Sequence, residues 1–238
     1  MKNFSIKESL SYGWEMTITH IWPVVSLTFI ALIPVILLRL LSISFGRYFA
    51  VSELIKYGPD QLKMLPGEVV FQDIFSFVNP ANYYFIGMYL FSVLLIYIIY
   101  ILVKIGFIKI FLNISNGEKH TFKHVLRYQH IFWKFIGVTI LYTTAVVLGT
   151  ILLIIPGIYI AVKYIFAPIL VIDKEMKPVK AMSESAKMTV GIKWKIIGFG
   201  LVLFVINFLG AALLGLGAVI TTPITTFALI FVYKKFLV

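Results

Sequence analysis

No cysteine occurs in the 238 residues, which excludes disulfides, thiolate metal sites and cysteine nucleophiles. Acidic residues are scarce too: ten Asp and Glu stand against 21 Lys and Arg, for a formal charge of +11. Charge as a whole is thin, at 13% of residues, where a soluble domain carries about a quarter. The absences extend to motifs. There is no Walker loop and no Gly-x-Ser-x-Gly nucleophile elbow. No carboxylate falls inside a long apolar run, so paired intramembrane acids for proton coupling or aspartyl chemistry are missing.

What fills the space is apolar: 61% of residues are hydrophobic. So few charges cannot cover so apolar a chain in water, and the missing solvent is lipid. Six apolar runs lie at about 22–43, 83–110, 131–155, 157–172, 194–214 and 218–238. Each approaches the roughly 20 residues needed to cross hydrocarbon, the fourth being short. The expected fold is all-α, a polytopic helical membrane protein of about six transmembrane helices in three hairpins, forming one membrane domain over 1–238. The first 20 residues are too polar for a cleavable signal peptide, so the first span is expected to be retained.

Lys and Arg set the expected orientation. They gather before the first run (Lys2, Lys7), around the second-to-third connection (Lys104 to Lys134), around the fourth-to-fifth (Lys174 to Lys195) and at Lys234 and Lys235. The long connection 45–82 carries only Arg47, Lys56 and Lys63, against Glu53, Asp60, Glu68 and Asp73. Both termini are therefore expected in the cytoplasm of a cell whose plasma membrane holds the chain, with 45–82 external. Prolines 59, 66 and 80 and Gly67 predict no more than short helical pieces there. Pro156-Gly157 reads as a hairpin tip between the third and fourth spans. The basic excess is explained by membrane orientation, and no nucleic-acid partner is expected.

Two stretches that precede odd-numbered spans align without gaps. Glu8 to Trp22 reads ESLSYGWEMTITHIW, and Lys180 to Trp194 reads KAMSESAKMTVGIKW. Met16-Thr17 falls on Met188-Thr189, Ser11 on Ser183 and Trp22 on Trp194. The first stretch carries an apolar stripe at Ile6, Leu10, Trp14, Ile18 and Ile21, and the last at Val179, Met182, Ala186 and Val190, the spacing of amphipathic interfacial helices. Ser5 with Glu8 fits a capping box, and Pro178 suits a first helical turn. A weaker middle stretch near Phe122, Leu126 and Trp133 completes a pattern of three units, each an interfacial helix followed by a transmembrane hairpin.

The second half carries a resemblance. Leu152 to Ile172 reads LLIIPGIYIAVKYIFAPILVI, followed by Asp173, Pro178, Ala181, Ser185, Met188, Gly191 and Trp194, and the chain ends GLGAVITTPITTFALIFVYKKFLV. This is similar to the membrane domain attached to some glycerophosphoryl diester phosphodiesterases, and to related polytopic bacterial membrane families. The likeness covers about residues 120–238. It implies a helical membrane domain. It does not imply the phosphodiesterase reaction, whose carboxylate-held metal lies in a separate soluble barrel for which the residues outside the spans leave no room.

Few residues are candidates for chemistry. Lys163 and Arg39 sit within apolar runs, where a charge either marks a binding site or snorkels to the outer interface. Together they would suit an anionic lipid headgroup. Lys104 and Lys109 lie near the inner end of an overlong second run, where they would meet anionic lipid. His120 and His124 have the i, i+4 spacing of a shared metal, but the sequence between them is Thr-Phe-Lys, and with His130 and Glu118 they read better as a basic interfacial face. Asn207 and the threonines of the third span suit interhelical hydrogen bonds, with Ala211 and Gly215 suited to close packing. The expectation is a non-catalytic membrane protein that organises lipid or partner proteins, with no catalytic residue, metal or cofactor. The alternative is a small-solute transporter or channel, for which Pro34 and Lys163 speak. The membrane part of a lipid phosphodiester enzyme comes third.

Overall fold

A computed structural model describes residues 4–62, 80–118, 129–212 and 217–237. Among these the chain is helical: α1 Ile6–Thr19, α2 Ile21–Leu62, α3 Pro80–Ser115, α4 Gln129–Leu152, α5 Ile154–Lys163, α6 Ala167–Lys174, α7 Pro178–Met188, α8 Lys193–Ala212 and α9 Ala218–Phe236. Six segments are long and apolar enough to cross a membrane: Ile21–Tyr48, Tyr83–Ser115, His130–Leu152, Ile154–Lys174, Lys193–Ala212 and Ala218–Phe236. These match the six apolar runs, and the chain is a multi-pass, all-α membrane protein.

The chain forms two compact units, 1–31 with 101–238, and 32–100. In the smaller unit α2 and α3 run antiparallel. Phe45 stacks on Tyr89 at 4.0 Å between ring centroids, and Tyr48 on Phe85 at 4.6 Å. Apolar side chains such as Leu40, Phe91 and Leu94 point outward and are more than half exposed, as surfaces facing hydrocarbon do. The helix α2 continues unbroken through Pro34 and on to Leu62, so 45–62 is helical where only short pieces were expected. Glu53, Leu54 and Lys56 are good helix formers, and the helix runs on through Pro59 to end within one turn of it. Residues 63–79 of the expected external connection lie outside the described residues.

The larger unit holds the core. The C-terminal half of α3 buries Ile105, Ile110, Phe111 and Leu112, α6 buries Ile169 to Ile172, and α9 buries Phe227, Ile230 and Tyr233. The helix α1 runs antiparallel beside α9, with Phe4 edge-on to Phe236, Glu8 paired with Lys235 and Tyr12 against Phe231. Its start is capped as expected: the Glu8 amide donates to Ser5 Oγ at 3.4 Å.

The α4–α5 turn falls earlier than Pro156-Gly157. Leu153 is the extended residue between the helices, and Pro156 already lies in the first turn of α5, where its missing N–H costs nothing. Gly157 serves close approach instead of turning. A Cβ there would lie 2.9 Å from Thr150 Cα, so only glycine lets α5 fold back so tightly on α4.

The aligned stretches are equivalent in packing as well as in letters. In α1 the buried residues are Ser9, Gly13 and Thr17, and the positions 172 residues on are Ala181, Ser185 and Thr189, all fully buried. The apolar stripes point the other way: Trp14 is 55% exposed, Ile18 50% and Val179 72%. Each amphipathic helix thus presents small residues to the protein and large apolar ones outward. At the central position both helices meet span backbone. A Cβ on Gly13 would collide with the Ile224 carbonyl oxygen, and Ser185 hydrogen-bonds the backbone of the fourth span. Phe122 and Leu126, of the middle stretch, lie outside the described residues. Trp22, Trp133 and Trp194, at the span starts, are each at least three-quarters exposed, in keeping with interfacial anchors.

Candidate functional site

The fourth span is broken. Pro168 has no N–H to reach the Tyr164 carbonyl, and its ring clashes with that carbonyl in a continuous helix. The helix α5 therefore stops at Lys163, and α6 starts at Ala167 with Pro168 in its first turn. The Ala167 amide bonds the Tyr164 oxygen at 3.0 Å instead of that of Lys163. The break frees the Lys163 carbonyl and the Phe166 amide, each costly to leave unpaired away from water.

Both are satisfied by α7. Glu175, in the left-handed conformation at φ 51°, ends α6, and the chain turns back so that α7 runs antiparallel beside it. Ser185 Oγ accepts from the Phe166 amide at 3.1 Å and donates to the Lys163 oxygen at 3.1 Å. Thr189 Oγ1 lies 3.3 Å from the same oxygen and 3.1 Å from that of Ala186, sharing its one proton between them. Both hydroxyl residues are fully buried.

Around this break sit two ammonium groups and two phenols. Lys163 Nζ lies 5.2 Å from the Tyr164 ring centroid. Lys193 Nζ, from the first turn of α8, donates to the Tyr159 hydroxyl and lies 4.0 Å from that ring's centroid. Both ammonium groups act electrostatically on the Tyr159 hydroxyl. Lys163 and Lys193 are half-buried, and among the described residues no carboxylate pairs with either. The Lys163 ammonium thus lies beside Tyr164 and acts on the same Tyr159 hydroxyl that Lys193, at the start of α8, hydrogen-bonds. Lys193 and Tyr159 were not singled out in the sequence. Lys193 reads there as one of many interfacial lysines.

The remaining candidates are dispersed. Arg39 is exposed on α2 within the unit 32–100, whereas Lys163 belongs to the other unit. Lys104 is exposed on α3, and Lys109, half-buried, faces the Glu175 carboxylate electrostatically. Glu175 accepts from His130 at 3.1 Å, and Lys134 Nζ donates to its backbone oxygen at 3.0 Å. The His130 hydrogen bond, helped by the Coulombic attraction of His130, Lys134 and Lys109, holds the Glu175 carboxyl below its usual range. His120 and His124 lie outside the described residues. Asn207 bonds across to α9, donating to Thr225 Oγ1 at 3.0 Å. Ala211 lies on α8 as described, and Gly215 lies outside the described residues.

A second polar cluster escapes sequence reading. Tyr233, fully buried, donates to Asp173 Oδ2 at 2.8 Å, and Lys174 Nζ lies 3.6 Å from the same oxygen. Next to it in sequence, Lys234 donates to the Ser115 carbonyl at 2.6 Å, while the Ser115 and Tyr12 hydroxyls are 2.7 Å apart. These bonds tie α1, α3, α6 and α9 together at one end. The one hint in the sequence is Asp173, an acid set directly after an apolar run.

No family model matches the chain, and neither does any curated protein or solved structure.

Proposed function

We propose that this protein is a non-catalytic membrane protein that organises lipid, and through it partner proteins, at the cytoplasmic face of a cell membrane. The observation that carries this reading is the state of the broken span. Discontinuous helices in transporters use freed carbonyls to coordinate ions. Here the freed Lys163 carbonyl is closed by Ser185 and Thr189, while among the described residues no carboxylate pairs with Lys163 or Lys193. Closed backbone beside two lysines suits an anionic headgroup better than a cation. The tyrosines beside them are of the amphipathic kind that sits at headgroup level. The basic helix ends support a cytoplasmic position for this face by the usual orientation rule, and the resemblance of residues 120–238 to the membrane domain of glycerophosphoryl diester phosphodiesterases fits a helical, lipid-facing role.

Native mass spectrometry of gently extracted protein, with lipid identification, tests this on wild type, Lys163→Leu and Lys193→Leu. Retained anionic lipid that falls in both variants supports it. Equal lipid retention in all three proteins overturns it. The break itself favours the second reading, a small-solute transporter, and solute flux into liposomes that is lost in Ser185→Ala is the outcome that would establish that reading.

A further inference from the structure

A second basic site lies elsewhere in the larger unit and uses none of the residues above. The lysines Lys7 from α1, Lys195 from α8 and Lys235 from α9 converge on a cavity of about 550 Å³. Among the described lining residues three lysines stand against one acid, Glu8, which pairs with Lys235 at 3.2 Å. Lys195 Nζ lies 5.4 Å from the Phe4 ring centroid and Lys235 Nζ 5.5 Å from that of Phe231, so both ammonium groups sit near aromatic rings.

This basic cavity shares Ile6 and Lys7 with an apolar groove of about 820 Å³ that runs between α1, α8 and α9. Leu10, Trp14, Ile206 and Ile224 line the groove. Each volume falls within the roughly 300–1,000 Å³ of small-molecule sites. Ile206 is 11 residues beyond Lys195 along α8, and Ile224 is 11 residues before Lys235 along α9. At 1.5 Å per residue, each apolar wall extends about 16 Å from its lysine. That is half of the roughly 30 Å hydrocarbon core, the depth of one leaflet. Both walls are candidate spans, so the groove opens toward hydrocarbon.

A basic mouth joined to an apolar groove one leaflet deep has the shape and polarity of an amphiphile. We propose that the cleft between α1, α8 and α9 holds one anionic phospholipid, its phosphodiester among Lys7, Lys195 and Lys235 and an acyl chain along Leu10, Trp14, Ile206 and Ile224. A zwitterionic lipid would bring an extra ammonium into a mouth already rich in them, so the site discriminates by charge. The proposal extends the lipid-organising reading but stands on different residues, and either can fail alone.

The test uses Trp14 as a reporter. The full chain with Trp22, Trp133 and Trp194 each changed to Phe is placed in phosphatidylcholine nanodiscs. A few mole per cent of phosphatidylglycerol brominated on its acyl chains is then added. The expected result is quenching of Trp14 well above that given by brominated phosphatidylcholine at the same mole fraction. The enrichment should weaken about fivefold for each of Lys7→Gln, Lys195→Gln and Lys235→Gln. Ser11→Phe, at an exposed position on the groove wall, should abolish it with the lysines intact. Lys163→Leu should leave it unchanged, whatever that variant does to total lipid retention. Quenching that follows bulk mole fraction alike for the two lipids overturns the proposal, as does enrichment that survives loss of all three lysines. Enrichment that needs the lysines but ignores Ser11→Phe, or is abolished by millimolar glycerol phosphate, marks a surface headgroup attraction and overturns the seated lipid.

Discussion

The hydroxyl of the fully buried Tyr233 donates to the carboxylate of Asp173 at 2.8 Å, joining the end of the last span to the end of the fourth. The Asp173 side chain is only 14% exposed, with the Lys174 ammonium 3.6 Å away and the Lys234 ammonium also acting on it electrostatically. Tyr233→Phe removes the donor without changing the ring, so the carboxylate loses its best partner. The expected cost is about 1–3 kcal/mol, the usual penalty for a buried polar group left short. Thermal unfolding in detergent reads it as a lower midpoint. Asp173→Asn keeps an acceptor for the phenol and should cost less than Asp173→Ala.

Ser185→Ala leaves the Phe166 amide without a partner and the Lys163 oxygen with Thr189 alone. A loss of about 1–3 kcal/mol is expected. Hydrogen exchange should show the Phe166 amide exchanging faster than those of α4. Thr189→Val, which removes only the weaker, shared contact, should cost less. If the two variants are equally stable, Ser185 is not what closes the break.

Gly13 lets α1 approach α9 closely: a Cβ there would meet the Ile224 carbonyl oxygen, with the Ala228 amide nitrogen 3.2 Å away. Backbone cannot yield as a flexible side chain would. Gly13→Ala should push α1 off α9 and cost several times the roughly 0.5 kcal/mol typical of a harmless surface change. Ser11→Ala, exposed on the same helix, is the control. Proteolysis near the N-terminus of the purified protein should accelerate in the first variant and not in the second.

Glu175 gives a pH dependence. Its carboxyl is held below its usual range, chiefly by the His130 hydrogen bond. A depressed carboxyl adds stability that is fully present above the unfolded-state pKa and is lost as pH falls through the lower folded-state pKa. The wild-type midpoint minus that of Glu175→Gln should therefore be level near neutrality and shrink on acidification through the carboxylate range. The difference should be small, since the pair is about half exposed and screened by water. A difference that grows on acidification would reverse the assignment.

The legible part of the fold is the part that depends on local sequence. Six long apolar runs became six span-length helical segments, the fourth of them broken, because the hydropathy of about 20 residues decides whether a segment can leave water. Ser5 and Pro178 marked helix starts because caps act over one turn. Asn207 was readable as an interhelical donor, since an amide in an apolar helix must find a partner. Lys163 was readable as unusual, yet its surroundings were not: Lys193 is 30 residues away in sequence, and only the fold brings it to Tyr159.

Composition and hydropathy alone thus determined that this is a helical multi-pass membrane protein, and the alignment of Glu8–Trp22 with Lys180–Trp194 marked two equivalent helices. Tertiary structure decided which way those helices face. In water an apolar stripe points inward, but lipid is as apolar as a protein core, so the stripe of Ile18 and Val179 can face out. Packing then rewards close approach, and Ser9, Gly13 and Thr17, with Ala181, Ser185 and Thr189, turn to the protein. The break after Lys163 was likewise decided in three dimensions. Pro168 can interrupt a span only where something closes the freed backbone, and the hydroxyls that do so come from another helix.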